Sequence, residues 1–114
     1  VTDDALRAKQ DKAALLSLLG TLAMIVAYAM SISVLTDTDM ASKFENGTVP
    51  AGTDIAGIQT CVIGSVIAAV LSVVLATAGN VVHSNVFTKL VAVLAYLAAG
   101  LFSMIFLLIA GLAF

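Results

Sequence analysis

The sequence predicts an all-α protein with three long apolar helices of the transmembrane type, the last two forming an antiparallel hairpin. Three observations carry this. Of 114 residues, 61% are hydrophobic and only 11% charged, where soluble domains average about 45–50% and about 25%. The charges are segregated, so that Ala13–Leu35, Ile55–Val82 and Leu90–Phe114 (23, 28 and 25 residues) contain no Asp, Glu, Lys or Arg. The single proline, Pro50, lies between the runs and breaks no helix within them. At 1.5 Å per residue the runs reach roughly 34–42 Å, enough for a hydrocarbon layer of about 30 Å.

Composition also excludes function classes. A chain this short buries only about two thirds of the surface it exposes unfolded. With a mean hydropathy of +1.14 it does not suit an ordinary soluble enzyme or a disordered chain. Five basic against seven acidic residues form no basic patch able to neutralise a run of phosphates, which argues against nucleic-acid binding. An integral membrane protein remains, or a subunit whose apolar helices pack against copies of itself.

Residues 1–12 are polar and balanced, with Asp3, Asp4 and Asp11 set against Arg7, Lys9 and Lys12. Thr2 is a candidate N-cap, and Asp3 and Asp4 complement the N-terminal end of a helix dipole. This segment is expected to be an amphipathic lead-in outside the bilayer. The first apolar helix, 13–35, is longer than a signal-peptide core and shows no clear small-residue cleavage pattern with a soluble domain behind it, so it is expected to be retained. Residues 36–54, TDTDMASKFENGTVPAGTD, hold turn formers and Asp37, Asp39, Glu45 and Asp54 against Lys43, which predicts an exposed acidic loop. Asn46-Gly47-Thr48 within it is a glycosylation sequon. The second apolar helix, 55–82, is expected to end on a C-cap at Gly79 or Asn80. A short turn follows at 83–89, where Ser84 or Asn85 can cap the third helix, 90–114. So short a break makes the last two helices an antiparallel pair.

Arg7, Lys9, Lys12 and Lys89 place the N-terminus and the 83–89 turn on the cytoplasmic side by the positive-inside rule, with the acidic loop and the C-terminus opposite. There is no Trp, and Tyr28 and Tyr96 fall mid-helix. That leaves Phe44, Phe87 and Phe114 as interfacial anchors.

Small residues recur at spacing four: Gly64, Ala68, Ser72 and Ala76 on the second helix with a parallel row, Gly57, Cys61, Ser65 and Ala69, beside it, Ala95, Ala99 and Ser103 on the third, and Ala23, Ala27 and Ser31 on the first. Residues four apart share a helix face, and small side chains there let helices approach closely where water does not drive association. We expect these faces to make contacts between chains as well as within the hairpin.

No catalytic constellation is visible. The apolar runs hold no carboxylate, Lys, Arg or His for a proton relay. His83 is the only histidine and Cys61 the only cysteine, which suits a structural His and a small buried hydrophobe rather than a metal site. Gln59, Thr60, Ser65, Ser72, Thr77 and Asn80 are candidates to line a pore, and such residues more often bond to neighbouring helices or to their own backbone. The expected protein is non-enzymatic, without a catalytic, metal or cofactor site.

From about residue 36 the layout resembles the conjugative pilins of type IV secretion systems. The matching parts are the polar segment Asp39–Asp54, the apolar helix Ile55–Val82, the turn His83–Lys89 and the apolar helix Leu90–Phe114, which ends Ala110-Gly111-Leu112-Ala113-Phe114 with almost no polar tail. They cover about two thirds of the chain. The resemblance implies a filament subunit packing with phospholipid, extracellular after assembly, with Lys89 meeting lipid headgroups. Helix 1 is an apolar helix beyond that pattern, and the turn has only His83 and Lys89 as basic groups. Two other expectations stand beside it: a small accessory subunit of a larger respiratory or photosynthetic membrane complex, and a small homo-oligomeric channel.

Overall fold

The structure, a computed structural model, describes Thr2–Phe114, the side chain of Thr2 excepted. The cap predicted at Thr2 therefore lies outside the described side chains. Four helices follow in order: α1 (Thr2–Leu35), α2 (Thr38–Asn46), α3 (Ile55–Val82) and α4 (Val86–Ala113). No strand occurs among the described residues. Three of the helices, α1, α3 and α4, are long and apolar enough to cross a membrane. They run up, down and up in an elongated bundle of 65 × 21 × 16 Å. The last two form the predicted antiparallel hairpin, and α1 lies along α3.

The polar lead-in is helical, as expected, and continues into the first apolar run. α1 runs unbroken from Thr2 to Leu35, because Ala5, Leu6, Arg7, Ala8, Lys9 and Gln10 are good helix formers with no Gly or Pro among them. Charge there marks where the helix meets a polar environment, not where it begins.

The expected loop at 36–54 holds the short helix α2. Its N-cap is Asp37, whose carboxylate accepts from the backbone N–H groups of Asp39 and Met40 at 2.9 and 3.3 Å. Gly47 ends it at φ 76, a left-handed backbone that suits glycine, and its N–H donates to the Lys43 carbonyl. Met40 turns inward and is fully buried.

α3 has the predicted bounds, but its cap is neither Gly79 nor Asn80. The helix continues to Val82, and the His83 N–H closes it on the Gly79 carbonyl. Gly79 serves a different purpose: a Cβ on it would lie 2.8 Å from Ser17 Oγ and 2.9 Å from the Ala13 carbonyl of α1. The turn is also tighter than 83–89, because α4 starts at Val86. Asn85 accepts from the Thr88 N–H, and Thr88 Oγ1 accepts from the Asn85 N–H, each at 2.8 Å. This reciprocal capping box winds Val86–Lys89 into the first turn of the helix. Thr88 is fully buried and its hydroxyl lies within hydrogen-bond reach of Asn80 Oδ1 and the His83 carbonyl. Replacing Asn85 with Ala should cost about 1 kcal/mol, the usual value of such a cap, measured as a lower denaturation midpoint in detergent.

Candidate functional site

The inward faces come first. On α1 the buried positions are Ala13, Ser17, Gly20, Met24, Ala27, Ser31 and Val34; on α3 they are Val62, Ser65, Ala69, Ser72, Ala76 and Gly79. Both series alternate steps of three and four, the 3.5-residue average that keeps two helices in contact along their length. Most members are Gly, Ala or Ser, so the two backbones nearly touch: a Cβ on Gly20 would lie 3.0 Å from the Ser72 carbonyl oxygen and 3.1 Å from the Ala76 nitrogen. Within this seam Ser72 Oγ donates to the Gly20 carbonyl at 2.5 Å. Ser17 Oγ is the one buried side-chain polar atom among the described residues that has no partner.

α4 closes the bundle with larger groups. Tyr28 meets Phe102 edge to face at 6.1 Å, and Phe102 stacks towards Phe106. The Tyr28 hydroxyl donates to the Ala98 carbonyl. At the α2 end, Val34, Met40, Val62, Ile109 and Ala113 form a second cluster, and Gln59 Nε2 donates to the Ala113 carbonyl, joining the start of α3 to the end of α4. Such side-chain bonds to carbonyls of other helices are worth about 0.6 kcal/mol on average in a membrane.

The predicted small-residue positions divide accordingly. Ser72 and Ala76 are buried in the α1–α3 seam, while Gly64 and Ala68 are half-buried, with Met30 reaching over Gly64. Ala95 is buried, Ala99 is half-buried, and Ser103 is exposed with its hydroxyl on the Ala99 carbonyl. Lys89 is exposed beside the turn, and Asn46 is exposed at the end of α2. Cys61 is half-buried, its sulfur against the Met30 carbonyl.

Polar groups considered for a pore are engaged within the bundle, some on their own helix and some across helices. Thr60 and Ser65 donate to the carbonyls of Ala56 and Val62, and Thr77 shares a hydrogen bond with Tyr96. At the α2 end, Ser33, Asp37, Asp39, Asp54 and Cys61 border a hollow. The Asp37 and Asp54 carboxylates are occupied there as helix caps. No group of three His, Cys, Asp or Glu side chains placed to hold a metal ion occurs among the described residues.

The outward faces are the opposite of a soluble bundle's. Ile67 is 62% exposed, Leu97 66%, Met104 70% and Leu107 73%, while the interior is largely Ala, Ser and Gly. Between α3 and α4, on the bundle surface, runs an apolar groove of ≈ 340 Å³ floored by Ala69, Ala99 and Phe102 and walled by Val66, Val70 and Val73. A second hollow continues it towards Phe114, sharing Val66 and Phe106. Ser103 is the only hydroxyl lining the groove, and it is already bonded to its own helix. The groove therefore presents almost no hydrogen-bond demand and matches hydrocarbon, either an acyl chain or an apolar side chain.

Sequence reasoning found Ala27 and Ser31 on the α1 side of the seam but missed Ala13, Ser17 and Gly20. Their four-then-three spacing was the available signal. Comparison of the chain with protein-family models, curated proteins and solved structures gives no match.

Proposed function

We propose that this chain is a non-enzymatic structural subunit, embedded in a membrane as a three-helix bundle and assembling laterally with copies of itself and with lipid. The observation that supports it is the inverted distribution of side chains: small residues inside, large aliphatic ones outside along all three long helices. Fully burying one such aliphatic side chain is worth about 1.5–3 kcal/mol. A handful left in water would offset the roughly 5–15 kcal/mol net stability of a typical domain. Lipid or sister helices on these faces remove that cost.

The finer form of the proposal is a conjugative-type pilin protomer with phospholipid between subunits, secreted into an extracellular filament on assembly. It is supported by the α3–α4 hairpin, by exposed Lys89 next to the turn, and by the apolar groove that follows the hairpin towards Phe114. In this form the N-terminus and the His83–Asn85 turn begin on the cytoplasmic side. The groove equally suits a helix of a different chain, which favours an accessory subunit of a larger membrane complex as the second reading.

Native purification in mild detergent, imaged by electron microscopy and weighed with its bound lipid by mass spectrometry, tests this. The proposal predicts a homo-oligomer that retains phospholipid. Lys89→Glu should weaken retention of anionic lipid by at least about fivefold, since losing one basic residue at a charged surface costs about 1 kcal/mol and the new carboxylate adds repulsion. A stable monomer would overturn self-assembly. Stoichiometric recovery with cofactor-bearing chains would favour the accessory reading, and unchanged lipid stoichiometry would remove Lys89 from a headgroup role.

A further inference from the structure

We propose that α2 is a surface anchor lying in the membrane interface, with the Phe44 ring seated among lipid acyl chains at the end of the bundle opposite the His83–Asn85 turn. This rests on the membrane reading above and adds to it the placement of a helix that the sequence disguises as a loop.

The geometry of α2 points to lipid. On a helical projection at 100° per residue, Met40, Phe44 and Ala41 share one side, while Thr38, Ser42 and Asn46 lie opposite. Met40 pins the helix to the bundle by inserting into the cluster of Val34, Val62, Ile109 and Ala113. Phe44, one turn further along the same face, passes the edge of that cluster and is 70% exposed. It overhangs a hollow of ≈ 240 Å³ lined otherwise by apolar Leu35, Met40, Ala41, Leu108 and Leu112 and by one charged side chain, Glu45. Leu35 and Leu108 are themselves exposed and continue the outward apolar surface of α1 and α4. The apolar side of α2 is thus continuous with the surface assigned to lipid, and the opposite side carries only groups suited to water. Aromatic side chains concentrate at such interfaces, and a short amphipathic helix lying in the plane of the headgroups buries its apolar face only to the acyl boundary. On this orientation Asn46 of the sequon faces water.

The chain has no Trp, so a single Trp reports its own surroundings. Phe44→Trp and Leu97→Trp variants of the full chain would be placed in phosphatidylcholine vesicles, with bromine either near the headgroup or near the acyl terminus, and challenged with aqueous iodide. Leu97 lies mid-helix in α4 on the outward face. The expected result for Phe44→Trp is loss of roughly half its emission to shallow bromine, with little quenching by deep bromine or iodide. Leu97→Trp should respond to the deeper label. If Phe44→Trp is quenched by iodide alone while Leu97→Trp responds to bromolipid, α2 stands in water; the anchor is overturned and the membrane reading stands. If Phe44→Trp is shielded from iodide and from both bromolipids, protein covers it, which also overturns the anchor. If neither position responds to bromolipid, the membrane reading fails and takes the anchor with it.

Discussion

Replacing Gly79 or Gly20 with Leu should break the α1–α3 seam and cost at least about 3 kcal/mol, at the upper end of the range for overpacked cores. At most core positions an added methylene meets the flexible end of a side chain that can move aside. Here it meets backbone. A Cβ alone on Gly20 would already crowd the Ser72 carbonyl and the Ala76 nitrogen, and one on Gly79 would collide with the Ser17 hydroxyl and the Ala13 carbonyl, before the rest of a Leu side chain is placed. Relief therefore requires the helices to separate. Separation would also withdraw the Gly20 carbonyl from Ser72 Oγ. Gly100 and Gly111 provide the control, because nothing lies within 4 Å of a Cβ at either position. Leu there should leave the fold intact, and a gain in intrinsic helix propensity is expected. Unfolding by SDS titration, followed by circular dichroism, separates the two pairs. Equal midpoints for Gly79→Leu and Gly100→Leu would contradict the close approach of α1 and α3. The same pair also informs assembly: loss of oligomer with Gly100→Leu while the monomer fold persists would place a contact between chains on the outward side of α4.

The second large effect is expected from a charge at the centre of α3. Ile67 lies midway along that helix and points outward. Arg at this position should cost about 2.5–3.5 kcal/mol of insertion free energy if lipid surrounds it. At a water-exposed surface a substitution usually changes stability by no more than about 0.5 kcal/mol. The inserted fraction of Ile67→Arg, measured in microsomes or vesicles against Ile67→Ala, reads this difference directly. Indifference to the charge would place the middle of α3 in water.

Segregated charge made the three apolar helices legible, and for α3 the bounds were read correctly at both ends. Where charge and helix ends do not coincide, the sequence misled. Val86–Lys89 contain a cation and are helical, and Thr38–Asn46 have loop composition yet carry an Asp cap and a Gly stop; at residues 3–12, by contrast, the helix start was read despite the charge. Helix ends are set by caps and turns, whereas charge reports the surroundings. The small-residue row shows a second limit. Positions four apart advance about 40° around a helix at each step. Gly64, Ala68, Ser72 and Ala76 therefore drift across α3, and only the last two reach the α1 seam. The parallel row drifts likewise and reaches the seam only at Ser65 and Ala69; a row read at alternating three and four joins Ser65, Ala69, Ser72, Ala76 and Gly79 on α3 and extends the α1 face to Ala13, Ser17 and Gly20. The hydrogen bonds of Tyr28 and Gln59 to carbonyls on α4 join residues far apart in sequence, and no local pattern announces them.

Alkaline carbonate extraction of membranes from cells expressing the intact chain tests most directly whether lipid or sister helices cover the outward faces of α1, α3 and α4. The account predicts that the chain remains in the sedimented membranes and is released only by detergent. Recovery from the supernatant as a folded, monodisperse species in plain buffer would contradict it.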